Sequence, residues 1–215
     1  MDIFIEKLNM IIPGRLFGLF SIIVGVLGDI IALLMYPIME YDFMRNAVST
    51  LCLGPGGIFF NVGNILSGLF ALIFVNYLGR TFNEEQINKK LKKSSIICAN
   101  ISCISFFFLG VFCGSNLIIA YIHGTSAIIS WGFGLCYITI YNLLILRDSN
   151  YSNLLAYFGF FVSLSLSLLM LIFLLHIFPV LRFLMTVLPL LEWINTIAVI
   201  FWYLIIAIYM IHKKI

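Results

Sequence analysis

Residues 154–178 read LLAYFGFFVSLSLSLLMLIFLLHIF, and from Leu166 to Phe178 only Ser167 and His176 interrupt the apolar run. A membrane barrel strand alternates polar and apolar residues, and this stretch does not. It is instead long enough for a helix that crosses a bilayer, which takes about 20 apolar residues. Working outward, five more stretches meet that requirement. The six spans are expected near Leu16–Tyr36, Ile58–Leu78, Ser95–Gly114, Ser126–Leu146, Leu154–Phe178 and Leu190–Ile211. The fold class is therefore all-α, a polytopic membrane bundle of six transmembrane helices. One domain, residues 1–215, is expected, since no linker, low-complexity tract or fixed-period repeat divides the chain.

Composition agrees. Hydrophobic residues make up 63% of the chain and charged residues 10%, whereas a soluble domain carries about 25% charge. The net charge of +3 is small and scattered, which argues against nucleic acid as a partner and leaves membrane lipids as the expected one. Self-association stays open. The first span is too long for a signal peptide and is followed by no A-x-A-like site, so it reads as an anchor.

Basic residues orient the bundle. Lys7, Arg15, Arg80, Lys89, Lys90, Lys92, Lys93, Arg147, Lys213 and Lys214 fall on the side of the termini, and only Arg45 and Arg182 fall opposite. Ten against two predicts cytoplasmic termini in a multi-pass protein of the cell membrane, because Lys and Arg are retained inside. The lysines of Gly79–Ser94 read first as that retention signal and second as a contact to anionic headgroups.

An ionisable residue within a bilayer is costly unless it is paired or wetted, so each is a candidate for function. Asp29 lies two thirds along the first span, too deep for easy hydration. Asn61 and Asn64 open the second span at i,i+3. Asn116 and His123 flank the short third loop on the outer side, His176 ends the fifth span, and Glu192 opens the sixth ahead of Asn195 and Thr196. All are expected at the outer face. The candidate catalytic residues are Asp29, His123 and Glu192; Ser49, Asn61, Asn64, Asn116 and Trp193 are candidates for substrate binding. A metal held by His123, Asp29 and Glu192, with His176 as a fourth ligand, is a lesser alternative. No cofactor motif is present: phosphate-loop, dinucleotide, G-x-S-x-G and H-E-x-x-H patterns are all missing.

Two further features bear on the site. Gly14, Gly18, Gly25 and Gly28 give the first span a small-residue surface that admits close helix approach, with Asp29 beside it. Gly54-Pro55-Gly56-Gly57 cannot continue a helix, so the segment before the second span is expected to fold onto the bundle over the polar cluster. The cysteines show no zinc or redox spacing; Cys52 and Cys113 fall near the same outer ends and are candidates for a disulfide.

The run Ser49-Thr50-Leu51-Cys52-Leu53-Gly54-Pro55, followed by Phe60-Asn61 and Gly68, resembles the signature of a family of uncharacterised six-helix prokaryotic membrane proteins. That family is similar to the DRAM/Frag-type proteins, which include a remodeller of GPI-anchor lipids. His123 and the Glu192-Trp193 pair extend the resemblance. Cys52 stands where the family pattern has a small residue, and no acid follows Ser49. The prokaryotic family has no settled activity, so the resemblance implies a fold more than a function. Three functions follow as alternatives: modification or hydrolysis of lipid at an outward-facing polar site, binding or transport of a lipid or small ligand, and an accessory scaffold without catalysis.

Overall fold

A computed structural model describes residues 12–37, 40–175 and 178–215. Six long helices follow in chain order: α1 (Gly14–Leu34), α2 (Gly57–Thr81), α3 (Lys89–Val111), α4 (Leu117–Ile145), α5 (Asn153–Leu175) and α6 (Leu188–Lys213). All six are long and apolar enough to span a membrane, and no strand occurs among the described residues. The chain is a multi-pass membrane protein. Two 3-10 segments, Val48–Leu53 and Pro179–Val187, precede α2 and α6.

Two helices start earlier than the apolar pattern predicts, and capping explains both. The Asn88 side chain accepts hydrogen bonds from the backbone N–H groups of Lys90 and Leu91, so the lysine-rich turn becomes the first turn of α3. Asn116 likewise accepts from the Ile118 N–H at 2.9 Å, extending α4 back by more than two turns. His123 therefore sits inside a helix rather than at its start. An N-cap of this kind satisfies a backbone donor that nothing else would.

Each helix packs on its neighbours in sequence, and α6 returns to α1, so the six close into a ring. The α1–α2 contact brings the two backbones close together. A Cβ on Gly28 would lie 2.7 Å from the Phe59 carbonyl oxygen, and one on Gly63 would lie 3.0 Å from the Gly28 Cα. The small-residue surface expected on the first span is thus used, and its partner is α2.

The ring is filled at the end that carries the termini. Phe74, Tyr137, Tyr141, Trp202 and Tyr203 are buried there, and their polar tips are satisfied within the protein, as buried Tyr and Trp require. The hydroxyls of Tyr137 and Tyr203 lie 2.9 Å apart, Tyr141 donates to the Val75 carbonyl at 2.8 Å, and Trp202 donates to Asn142 at 3.3 Å. Loops at this end are clamped together. Buried Asp148 accepts from the N–H groups of Asn83 and Asn150, while Gln86 and Ser149 exchange two hydrogen bonds. Arg15 reaches the main-chain oxygen of Ile215 at 3.0 Å. Outside the membrane-spanning segments, Lys92 and Lys89 hold the Glu84 carboxyl below its ordinary range.

Candidate functional site

The opposite end of the ring is capped and hollow. The cap is the segment leading into α2. Cys52 and Cys113 form a disulfide with Cα atoms 6.1 Å apart, so the expected bridge is present and ties Val48–Leu53 to the end of α3. Gly56 presses on α1, where a Cβ would lie 2.5 Å from the Ala32 Cα. Val48 and Leu51 turn inward and are buried with Ala32 and Phe60. The lid expected from the Gly-Pro-Gly-Gly break lies on the bundle, as non-helical backbone at membrane depth must.

Polar contacts fix the lid further. The Ser49 N–H donates to Glu192 Oε1 at 2.9 Å, Tyr36 donates to the Thr50 carbonyl at 3.1 Å, and the Trp193 indole donates to the Asn46 carbonyl at 3.0 Å. Tyr41 donates to the Ala47 carbonyl at 2.7 Å. Its ring stands edge-on to those of Tyr36, Phe43 and Trp193. Burial holds the Tyr41 hydroxyl above the usual phenol range, which keeps it a donor.

Beneath the lid lies a cavity of about 420 Å³ to which all six helices contribute. The volume falls within the span typical of small-ligand sites. Along α4 the wall runs from His123 to Ile138 and along α6 from Leu188 to Tyr203, roughly four turns or about 22 Å on each. Polar side chains gather near the lid: Asp29, Ser49, Asn64, His123, Glu192 and Asn195 all line this space. Elsewhere the wall is largely apolar, through Leu109 and Phe173 near the lid end and Trp131 and Leu166 deeper, interrupted by hydroxyls that are already paired. Ser21 bonds Ser67, and Ser102 donates to the Ser130 carbonyl. The hydroxyls of Tyr137 and Tyr203 and the thiol of Cys103 form the floor.

The sequence-derived candidates separate into three groups. Asp29, Ser49, Asn64, His123 and Glu192 share the cavity, and the Glu192, Asn195, Thr196 stripe faces it as one strip. Asn61, Asn116 and Trp193 do not line it. Asn61 is i,i+3 to Asn64, which leaves the two about 60° apart around the helix; its main chain meets α3 at Gly110. Asn116 caps α4, and Trp193 clamps the lid. His176 lies outside the described residues.

Four buried side-chain polar atoms have no hydrogen-bond partner among the described residues: Asp29 Oδ1, Asn61 Oδ1, Asn142 Nδ2 and Asn195 Oδ1. Of these, Asp29 and Asn195 line the cavity. Asn195 is 5% exposed. An unmet buried acceptor costs about 1–3 kcal/mol, so both are unusual within a finished core. His123 differs. Its Nδ1 lies 3.0 Å from the Phe112 carbonyl oxygen, which only accepts, so Nδ1 carries the proton and a neutral ring keeps its lone pair on Nε2. No hydrogen bond joins His123 to Glu192 or Asp29, and among the described residues no three His, Cys, Asp or Glu side chains converge as a metal site.

Sequence reasoning missed the floor and the lid clamps. It singled out neither Tyr36 and Tyr41 nor Tyr137, Tyr203, Ser102 and Ser130. Comparison with known proteins finds no matching family model, no matching curated protein and no matching solved structure.

Proposed function

We propose that this protein binds an amphipathic, lipid-like ligand in the lidded cavity. Its polar head would meet Asp29, His123, Glu192 and Asn195, and its apolar part would run toward Tyr137 and Tyr203. One observation carries the reading: of the four unpartnered buried polar atoms, two, Asp29 Oδ1 and Asn195 Oδ1, belong to residues that line a largely apolar cavity of about 420 Å³. The same proposal includes kinship with the six-helix family that resembles the DRAM/Frag-type proteins. It also places the termini in the cytoplasm, supported by the ten-to-two distribution of basic residues. The Cys52–Cys113 disulfide at the far end suits the oxidising side of a cell membrane.

A second reading, modification or hydrolysis of the bound lipid, is favoured by the His123 tautomer, which leaves Nε2 available as a base. Against it, Glu192 is occupied by the lid and no carboxylate touches the imidazole. Binding without chemistry therefore ranks first.

The test is retention of ligand. Gly124 lines the cavity, and a Cβ there meets nothing within 4 Å, so Gly124→Leu fills the space without a clash at its base. Native mass spectrometry of protein released from lipid nanodiscs should show bound amphiphile on the wild type and none on Gly124→Leu. Equal retention on both would refute the cavity as the binding site.

A further inference from the structure

Ser49, Asn64, Asn195 and Thr196 bring donors to the polar end, and the unpartnered atoms there are acceptors. Asp29 Oδ1 and Asn195 Oδ1 are unmet acceptors. Glu192 accepts from the Ser49 N–H, and His123 Nδ1 donates to the Phe112 carbonyl, which in the neutral ring leaves the lone pair on Nε2. Among the described residues, no Lys or Arg lines the cavity. Two carboxyl groups thus line one cavity in which His123 is the one basic side chain among the described residues.

We infer that the head group bound at Asp29, Glu192 and Asn195 is a protonated amine carried on an apolar chain. The inference rests on the reading of this cavity as an amphiphile site and narrows it to one chemical class. An ammonium has three N–H donors and no acceptor, which complements the two unmet acceptors. A phosphate, sulfate or carboxylate head would instead bring more acceptors and a like charge to two carboxyl groups. A single hydroxyl supplies one donor and no charge. A quaternary ammonium carries the charge but no donor, and so leaves Asn195 Oδ1 unmet. Burying a charge within the membrane is tolerated where an opposite charge awaits it, and here each partner supplies what the other lacks. An amine-bearing lipid headgroup and a free long-chain amine offer the same chemistry.

The experiment uses the full chain in phosphatidylcholine nanodiscs, titrated with dodecylamine, dodecyltrimethylammonium, dodecanol and dodecanoate. Binding is read by the fluorescence of Trp131, which lines the cavity wall. Gly124→Leu in identical nanodiscs supplies the correction for partitioning into lipid. Dodecylamine should bind saturably and more tightly than each of the other three by about tenfold or more, the scale of one charge-assisted contact. Asp29→Asn should bring its affinity down to that of dodecanol on the wild type. Should Asp29→Asn fail to fold, Glu192→Gln is read in its place, since Gln keeps an acceptor for the Ser49 N–H. Adding phosphatidylethanolamine to the nanodisc separates the sources: competition with dodecylamine assigns a lipid headgroup, and its absence assigns a free amine. Equal binding of dodecanol, or tighter binding of dodecanoate, overturns the amine while leaving the cavity reading intact. If no probe shows binding that Gly124→Leu removes, the cavity reading fails and this inference fails with it.

Discussion

Among the described residues, Glu192 is the carboxyl side chain that joins the lid to the bundle, and replacing it isolates the energy of that joint. In Glu192→Ala the Ser49 N–H loses its acceptor at 2.9 Å. A hydrogen bond to a charged group contributes about 1.5–3 kcal/mol, and every 1.4 kcal/mol is about tenfold in an equilibrium constant. Local opening of the Asn46–Ser49 part of the lid should therefore rise by roughly 10- to 150-fold. The rest of the lid stays tethered by Cys52–Cys113, by the bond from Tyr36 to Thr50 and by the clamp from Trp193 to Asn46, so global unfolding should change far less. Hydrogen–deuterium exchange of the segment 46–53 reads this directly. Exchange at Ser49 should accelerate in Glu192→Ala by the stated factor, and Glu192→Gln, which keeps an acceptor, should stay within a few-fold of wild type, the difference between charged and neutral acceptors. Unchanged exchange in Glu192→Ala, or equal acceleration in both variants, would refute the assignment of Glu192 as the lid anchor.

Three other outcomes follow from the structure. A cysteine at Asn88, in the loop between α2 and α3, should react in intact cells with permeant thiol reagents only; labelling by an impermeant reagent would reverse the proposed orientation. Peptide mass spectrometry without reduction should find Cys52 and Cys113 linked. Removing that link, which spans 61 residues, should destabilise by less than the ~4 kcal/mol of the chain-entropy estimate, because α2 and α3 stay helical in the membrane; a loss at or above that figure would contradict this. Gly63→Val should lower the melting temperature, since overpacking typically costs about 1–3 kcal/mol and the Gly28 backbone stands 3.0 Å from the new Cβ; an unchanged melting temperature would count against close α1–α2 packing.

The spans were legible because crossing a bilayer imposes a length of apolar chain that no other feature of this sequence imitates. Their ends were less so. His123-Gly124-Thr125 looks like loop, yet it is helical, because Asn116 starts α4 earlier and the ring interior accommodates those residues. The lid could be anticipated from Gly54-Pro55-Gly56-Gly57, which breaks the helix whatever surrounds it. The closed ring could not: it depends on α6 meeting α1, a contact between distant residues for which local pattern carries no signal. For the same reason the sequence could not separate Asn64, on the cavity, from Asn61, against α3, although both are equally polar. Trp193 and Asn195 exchanged apparent importance. A tryptophan next to Glu192 suggests substrate contact but holds the lid, whereas Asn195 was visible only as part of a stripe. Its unmet acceptor becomes apparent once its neighbours are in place.

The central claim, that the space beneath the lid is a ligand site, is tested most directly by an experimental structure of the wild-type protein in nanodiscs of native lipid. The account predicts an elongated density under Val48–Leu53, with its polar end within hydrogen-bond distance of Asp29 Oδ1 and Asn195 Oδ1 and its other end descending toward Tyr203. A cavity closed by its own side chains, with both acceptors paired inside the protein, would contradict it.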